Sequence, residues 1–260
     1  MNRTSISDLK AKAKDQLLGN YGTAAGSFAL YFVIVYSVYM IVMSAMGVSF
    51  IGTRNGNEAV QSVLSEVITQ LVTIAITALA SIMSTGFIYV IRKISDEEAA
   101  SVSDIFFVFR NHPDKVIIIS LFMSVPQTIL MIPSMIVSRF MYDPDGEALG
   151  VDGKMFMIYI ILAVLALIIS VIIDIYIGMA YQIYIDDPED GVMNMIKGSI
   201  GMMRGNAFRY FYLLLSFIGY ALLVVLSLGV TILWVFPYQL MAITEFYKDL
   251  RDDAVFEEIL

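Results

Sequence analysis

Four stretches of this chain contain no aspartate, glutamate, lysine or arginine: Ala24–Gly47, Val67–Ile91, Val116–Ser138 and Met155–Ile173. Nothing else constrains the fold as strongly, because each reaches the roughly 20 residues with which an α-helix crosses a bilayer. The chain as a whole is 58% hydrophobic and 15% charged, whereas soluble domains run near 45–50% and about 25%. The pattern predicts an all-α fold, a polytopic membrane helical bundle formed by residues 1–260 as a single domain.

The spans are read at about Ala24–Gly47, Val63–Ile91 and Lys115–Ser138, with a fourth that starts near Met155 and runs on toward Ile185. Pro126 and Pro133 inside the third mark a packing kink or a hinge. The last apolar stretch, Phe208–Thr244, is too long for one span and short for two. A tight hairpin fits: Tyr210–Leu226, a turn at Ser227-Leu228-Gly229, then Thr231–Tyr247 bent by Pro237. The alternative is one tilted span plus a re-entrant or interfacial helix.

Polar segments separate these runs. Met1–Leu18 reads as an interfacial helix, with Ser5 and Asp8 at capping-box spacing and Ile6, Leu9, Ala13 and Leu17 on one face. It is either a membrane-surface anchor or a helix packed on the protein's own loops. Gly19-Asn20 ends it. A charged segment before so long an apolar run is not a cleavable signal. Ser103–Phe109 offers Ile105, Phe106 and Phe109 as a short aromatic face, and Asn111-His112-Pro113 breaks it. The acidic turn Asp186-Asp187-Pro188-Glu189-Asp190 leads into a further surface helix, with Asp187 as N-cap and Pro188 in the first turn. Its face is Val192, Met193, Ile196, Ile200 and Met203, spaced by three and four; Gly205 closes it.

With six spans and both termini inside, only Arg54, Arg139 and Lys154 of the sixteen basic residues fall outside. That asymmetry places the N- and C-termini in the cytoplasm and the protein in the cytoplasmic membrane. Moving to five spans shifts only Lys248 and Arg251, so charge favours six over five weakly.

Asn20, Asn111 and Asn206 recur between a polar segment and a span, Gly19 and Gly205 preceding two of them. Gly86-Phe87-Ile88-Tyr89 compares with Gly178-Met179-Ala180-Tyr181, and Tyr181-Gln182 with Tyr238-Gln239. Three units follow, at 5–93, 94–186 and 187–250, each a surface segment and a membrane hairpin. Chance matches in apolar sequence are the competing explanation.

The spaced series Ser199, Met203, Gly205, Phe211, Ser216-Phe217-Ile218-Gly219-Tyr220, Gly229, Trp234, Pro237-Tyr238 and Phe246-Tyr247 resembles a family of bacterial integral membrane proteins known as domain of unknown function 975. Leu18-Gly19-Asn20-Tyr21 is similar to that family's opening, with Tyr where Trp is expected. The family looks distantly like the membrane domain fused to some glycerophosphodiester phosphodiesterases, whose catalytic domain has no counterpart here. The resemblance implies a fold and a membrane address, and no activity.

Asp174 is an acid well inside an apolar run, and such a group is a candidate site because its burial is costly. It binds a cation or a proton or pairs with a base, or it lies near the inner surface and reaches water or a neighbouring arginine. Gln182 and Gln239, with Gln70 and Gln127, either line a polar path or bond between helices. Glu66 and Glu245 lie near span ends, where snorkelling is expected. The net charge of −8 gives no footprint for nucleic acid. Without cysteine and with His112 as the single histidine, no metal centre or other cofactor is expected. H-E-x-x-H, G-x-S-x-G and G-x-x-x-x-G-K-[ST] are all missing. The expectation is a non-enzymatic membrane scaffold or accessory protein whose partners are the lipid bilayer and a membrane protein or a second copy of itself. The alternative is a small transporter or channel with a polar path near Asp174.

Overall fold

A computed structural model describes residues 4–46, 63–139 and 153–259. Residues 47–62, with the loop expected at Ser49–Gln61, lie outside them, as do Asp143, Asp145, Glu147, Asp152 and the Glu66 side chain. The described residues are helical: α1 Ile6–Leu17, α2 Tyr21–Ala45, α3 Val63–Ser95, the 3-10 helix η1 Val102–Arg110, α4 Pro113–Arg139, α5 Gly153–Ile177, α6 Ala180–Asp186, α7 Val192–Met203, α8 Ala207–Leu215, α9 Ile218–Leu226 and α10 Ile232–Ile259.

Five stretches are long and apolar enough to cross a membrane: Tyr21–Ala45, Val67–Ser95, Pro113–Val137, Gly153–Asp186 and Ala207–Leu226. They match the first five expected spans. α10 is also long, but Glu245, Lys248, Asp249 and Arg251 load its second half with charge.

Burial is distributed as a bilayer solvent requires. Apart from α3 the apolar helices stay largely exposed, at Ile41, Ile129, Ile161 and Leu167 for example. α3 is the central helix, with 56% of its apolar window buried, against 6% for Gly153–Asp186. The tightest packing sits at one end of the bundle, where the polar segments meet the helix ends. Leu9, Ala13 and Leu17 of α1 pack there with Phe87, Val90 and Ile91 of α3, Met203 of α7 and Met241, Phe246 and Tyr247 of α10. A second cluster joins Ile82, Val108, Val116, Ile119, Tyr184, Met195 and Ile196.

Local chemistry sets the element ends. Ser5 Oγ accepts the Asp8 backbone N–H at 3.2 Å, the expected cap of α1. Gly19 (φ +86°) and Gly205 (φ +79°) take the left-handed conformation that ends α1 and α7. Gly229 (φ +90°) does the same between α9 and α10.

Several expectations are corrected. η1 has the three-residue period of a 3-10 helix, so Ile105 and Val108 face inward together. Phe106 and Phe109 turn outward as a ring pair 6.0 Å apart and do not share a face with Ile105. α7 starts at Val192, capped by Gly191. Asp187 is instead the C-cap of α6 and opens the turn that follows, its carboxylate accepting the Glu189 N–H at 3.0 Å, while Asp190 binds the Gly191 N–H and the Asn194 amide. These side chains satisfy the backbone locally in place of a helix turn. The fourth apolar helix does not run unbroken to Ile185. It is interrupted at Gly178-Met179, where three-residue bonding from Gln182 N–H to Met179 C=O starts α6. Glu245 does not snorkel: it is 1% exposed, because Lys12 and Ser95 supply its partners inside the protein.

Candidate functional site

Two polar assemblies stand out among the described residues. The first is a cavity of about 240 Å³ between α2, α3, α4 and α5. Helical spacing builds it: Thr77, Ser81 and Ser84 project from α3, and Ser120, Ser124 and Gln127 from α4, each set at i, i+4, i+7 on one face. Tyr31 and Tyr181 add phenols. Asp174 stands exposed at the mouth, its Oδ1 accepting a hydrogen bond from Gln127 Nε2 at 2.7 Å. Ser124 Oγ is buried without a hydrogen-bond partner. The lining holds no histidine and no second carboxylate. It therefore offers acceptors and one negative charge, and no acid–base pair.

The second assembly joins the ends of α3, α6 and α10. Arg92 is 4% exposed. Its guanidinium donates to Asp96 (Nε, 3.1 Å), Gln182 (Nη1, 3.4 Å) and Asp186 (Nη2), and it lies 5.1 Å from the Tyr247 ring. Gln182 Nε2 donates to Thr244 Oγ1 at 3.0 Å. Asp186 also accepts from the Tyr247 hydroxyl at 2.6 Å and from Arg251. Glu245 pairs with Lys12 at 2.7 Å, and Lys248 reaches Asp96 at 2.7 Å. Burial works to raise the Asp96 carboxyl, but Lys248 and Arg92 outweigh it and hold it below its ordinary value.

Thus Asp174 and Gln182 fall in different assemblies. Gln239 is half-buried on α10 and belongs to neither. Gln70 bonds Thr128 at 3.2 Å, between helices. Asn20, Asn111 and Asn206 each donate their side-chain amide to the carbonyl four residues earlier, at Gln16 (3.3 Å), Phe107 (2.8 Å) and Met202 (2.9 Å). Pro237 is buried inside α10, and the Tyr238 hydroxyl reaches the Lys10 carbonyl at 3.3 Å. On α7, Ile196 and Met203 are buried beside Met195 and Ser199, Val192 and Ile200 are half-buried, and Met193 is exposed. The serine stripes and Arg92 were missed in the sequence reading. The i, i+4, i+7 spacing of the hydroxyls was the available signal for the former. Arg92 resembles an ordinary span-ending cation until Gln182 and Asp186 of α6, both distant in sequence, are in place.

No curated protein and no solved structure matches the chain. A family model does, over residues 1–254. The five long apolar helices mark the chain as a multi-pass membrane protein, and by the family match it belongs to the family described as protein of unknown function (DUF975).

Proposed function

We propose that this is a six-span, non-enzymatic scaffold or accessory protein of the cytoplasmic membrane, with both termini cytoplasmic, acting through lipid or protein contacts. The observation that carries the reading is the packing of each surface segment on the exit of a neighbouring unit. η1 lies on α3, with Phe107 stacked on Tyr89 at 3.8 Å. α7 lies on α5 and α6, with Ser199 Oγ bound to Tyr176 C=O at 2.7 Å. α1 lies on α10 through Tyr238 and Lys10. The three exits are those that carry Tyr89, Tyr181 and Tyr238. This is a closed ring of three repeated units, and the three asparagine bonds repeat in register with it. The Arg92–Asp186–Glu245 assembly ties together the exits of all three units, so its ion pairs hold the cytoplasmic end shut. A closed ring with outward Phe106 and Phe109 suits a fixed platform.

The test is crosslinking in native membranes from a photoreactive residue at Phe106 or Phe109. Discrete lipid or protein adducts, lost when Lys12→Glu opens the ring, are expected. Lipid turnover by the purified protein, or an adduct pattern indifferent to ring opening, would overturn the reading.

A second reading, transport along a polar path, is favoured by the cavity that reaches Asp174. It requires flux through proteoliposomes that Asp174→Asn abolishes.

A further inference from the structure

The cavity beside α4 carries an inference that does not depend on the scaffold reading. We propose that it binds a protonated amine, with the Asp174 carboxylate as counter-ion. The sole formal charge in the lining is negative, and Gln127 bonds only one of its oxygens, Oδ1. Among the described residues no cation forms an ion pair with Asp174, although the acids Asp96, Asp186, Glu245 and Asp249 each have one. An intramembrane carboxylate left without a base takes up a proton or a positive ligand, and the cavity beside Asp174 has room for the ligand. A polyatomic cation fits better than a bare metal ion. A metal needs several oxygens converging at about 2.0–2.6 Å, whereas this cavity is about 240 Å³, and no group of three or more His, Cys, Asp or Glu residues could hold a metal among the described residues.

The hydroxyls supply the rest of the recognition. An ammonium has three N–H donors. Asp174 Oδ2 takes one, and the otherwise unpartnered Ser124 Oγ takes another. Ser84 or Ser120 lies in the same lining for the third. Because Asp174 is exposed at the mouth, the amine enters from the side of the bundle, either on the head group of an aminophospholipid or as a free small amine.

The experiment uses the full-length purified protein in detergent. Binding of short-chain phosphatidylethanolamine is compared with that of its N-acetylated form, with free ethanolamine as competitor. The amine lipid should bind about tenfold tighter or better than the N-acetylated lipid. Asp174→Asn should erase that preference and Asp174→Glu should keep part of it. Competition by ethanolamine at similar concentration assigns the site to free amines, and weak competition assigns it to the lipid head group; both uphold the proposal. Should Asp174→Asn fail to fold, Ser124→Val is the substitute and should weaken amine binding several-fold. Equal binding of the two lipids by the wild type, or a preference that survives the folded variant, overturns the proposal. These outcomes do not bear on ring closure, which Lys12→Glu tests separately.

Discussion

The carbonyl oxygen of Ile105 lies 1.8 Å from where a Cβ on Gly86 would stand. No side chain fits at Gly86 while η1 keeps its seat on α3, because the obstacle is backbone and not the end of a flexible chain. Gly86→Ala should push η1 off its groove and expose Ile105 and Val108, both fully buried in the wild type. The expected cost is about 1–3 kcal/mol, read as a lower melting temperature in detergent. Gly22, with open space around its Cβ position, is the control and should be near neutral.

The ion assembly of Arg92, Asp186 and Glu245 predicts losses of similar size. Arg92→Met leaves Asp186 and Asp96 short of their partner, and Glu245→Gln removes the carboxylate that pairs with Lys12. Arg92 and Glu245 are buried but Lys12, Asp96 and Asp186 keep part of their surface in solvent, so each change should cost about 1–3 kcal/mol. Arg92 is the more buried of its group, so its variant should lose more than Arg251→Met, whose side chain is partly exposed.

Acid should loosen the same end. Burial opposes ionisation at Asp96 and Asp104, but Lys248 and Arg92 hold the first, and the Ser101 N–H and Lys93 the second, below the ordinary aspartate value of 3.8. A carboxyl depressed in the folded state adds stability above its unfolded pKa and loses it as pH falls through the folded one. Melting temperature should stay level from neutral pH down to about 5 and drop below about 4. Asp96→Asn should flatten part of that acid limb; an unchanged limb would remove Asp96 from the account.

Much of the fold was legible because hydrocarbon allows few solutions. Uncharged runs bounded by Gly19-Asn20 and Gly205-Asn206 mark where helices end, and the structure ends α1 and α7 there. The errors arose where side chains compete for backbone groups or where the helical period changes. Asp187 was read as an N-cap because Asp-Pro usually starts a helix, yet its carboxylate closes a turn onto Glu189. Phe106 was put on one face with Ile105 by a 3.6-residue period that η1 does not follow. Asp174 stood out as an isolated charge, but its partner Gln127 comes from another helix, 47 positions away, and no local pattern joins them.

The asparagine bonds test the repeat. Asn20→Ala, Asn111→Ala and Asn206→Ala each free one helix-terminal carbonyl, at an expected cost of about 0.5–1.5 kcal/mol apiece. Similar losses at all three support equivalent units. A loss confined to one position would mean that the other two bonds are incidental.

The central claim is three membrane hairpins with every surface segment on the cytoplasmic face. The cysteine-free chain allows single cysteines to report it in intact cells. Gly56→Cys, Gly146→Cys and Ser227→Cys should react with a membrane-impermeant maleimide added outside. Gly191→Cys and Asp252→Cys should react only after the membrane is opened. Labelling of Gly191→Cys from outside, or protection of Gly56→Cys and Gly146→Cys, would contradict the account.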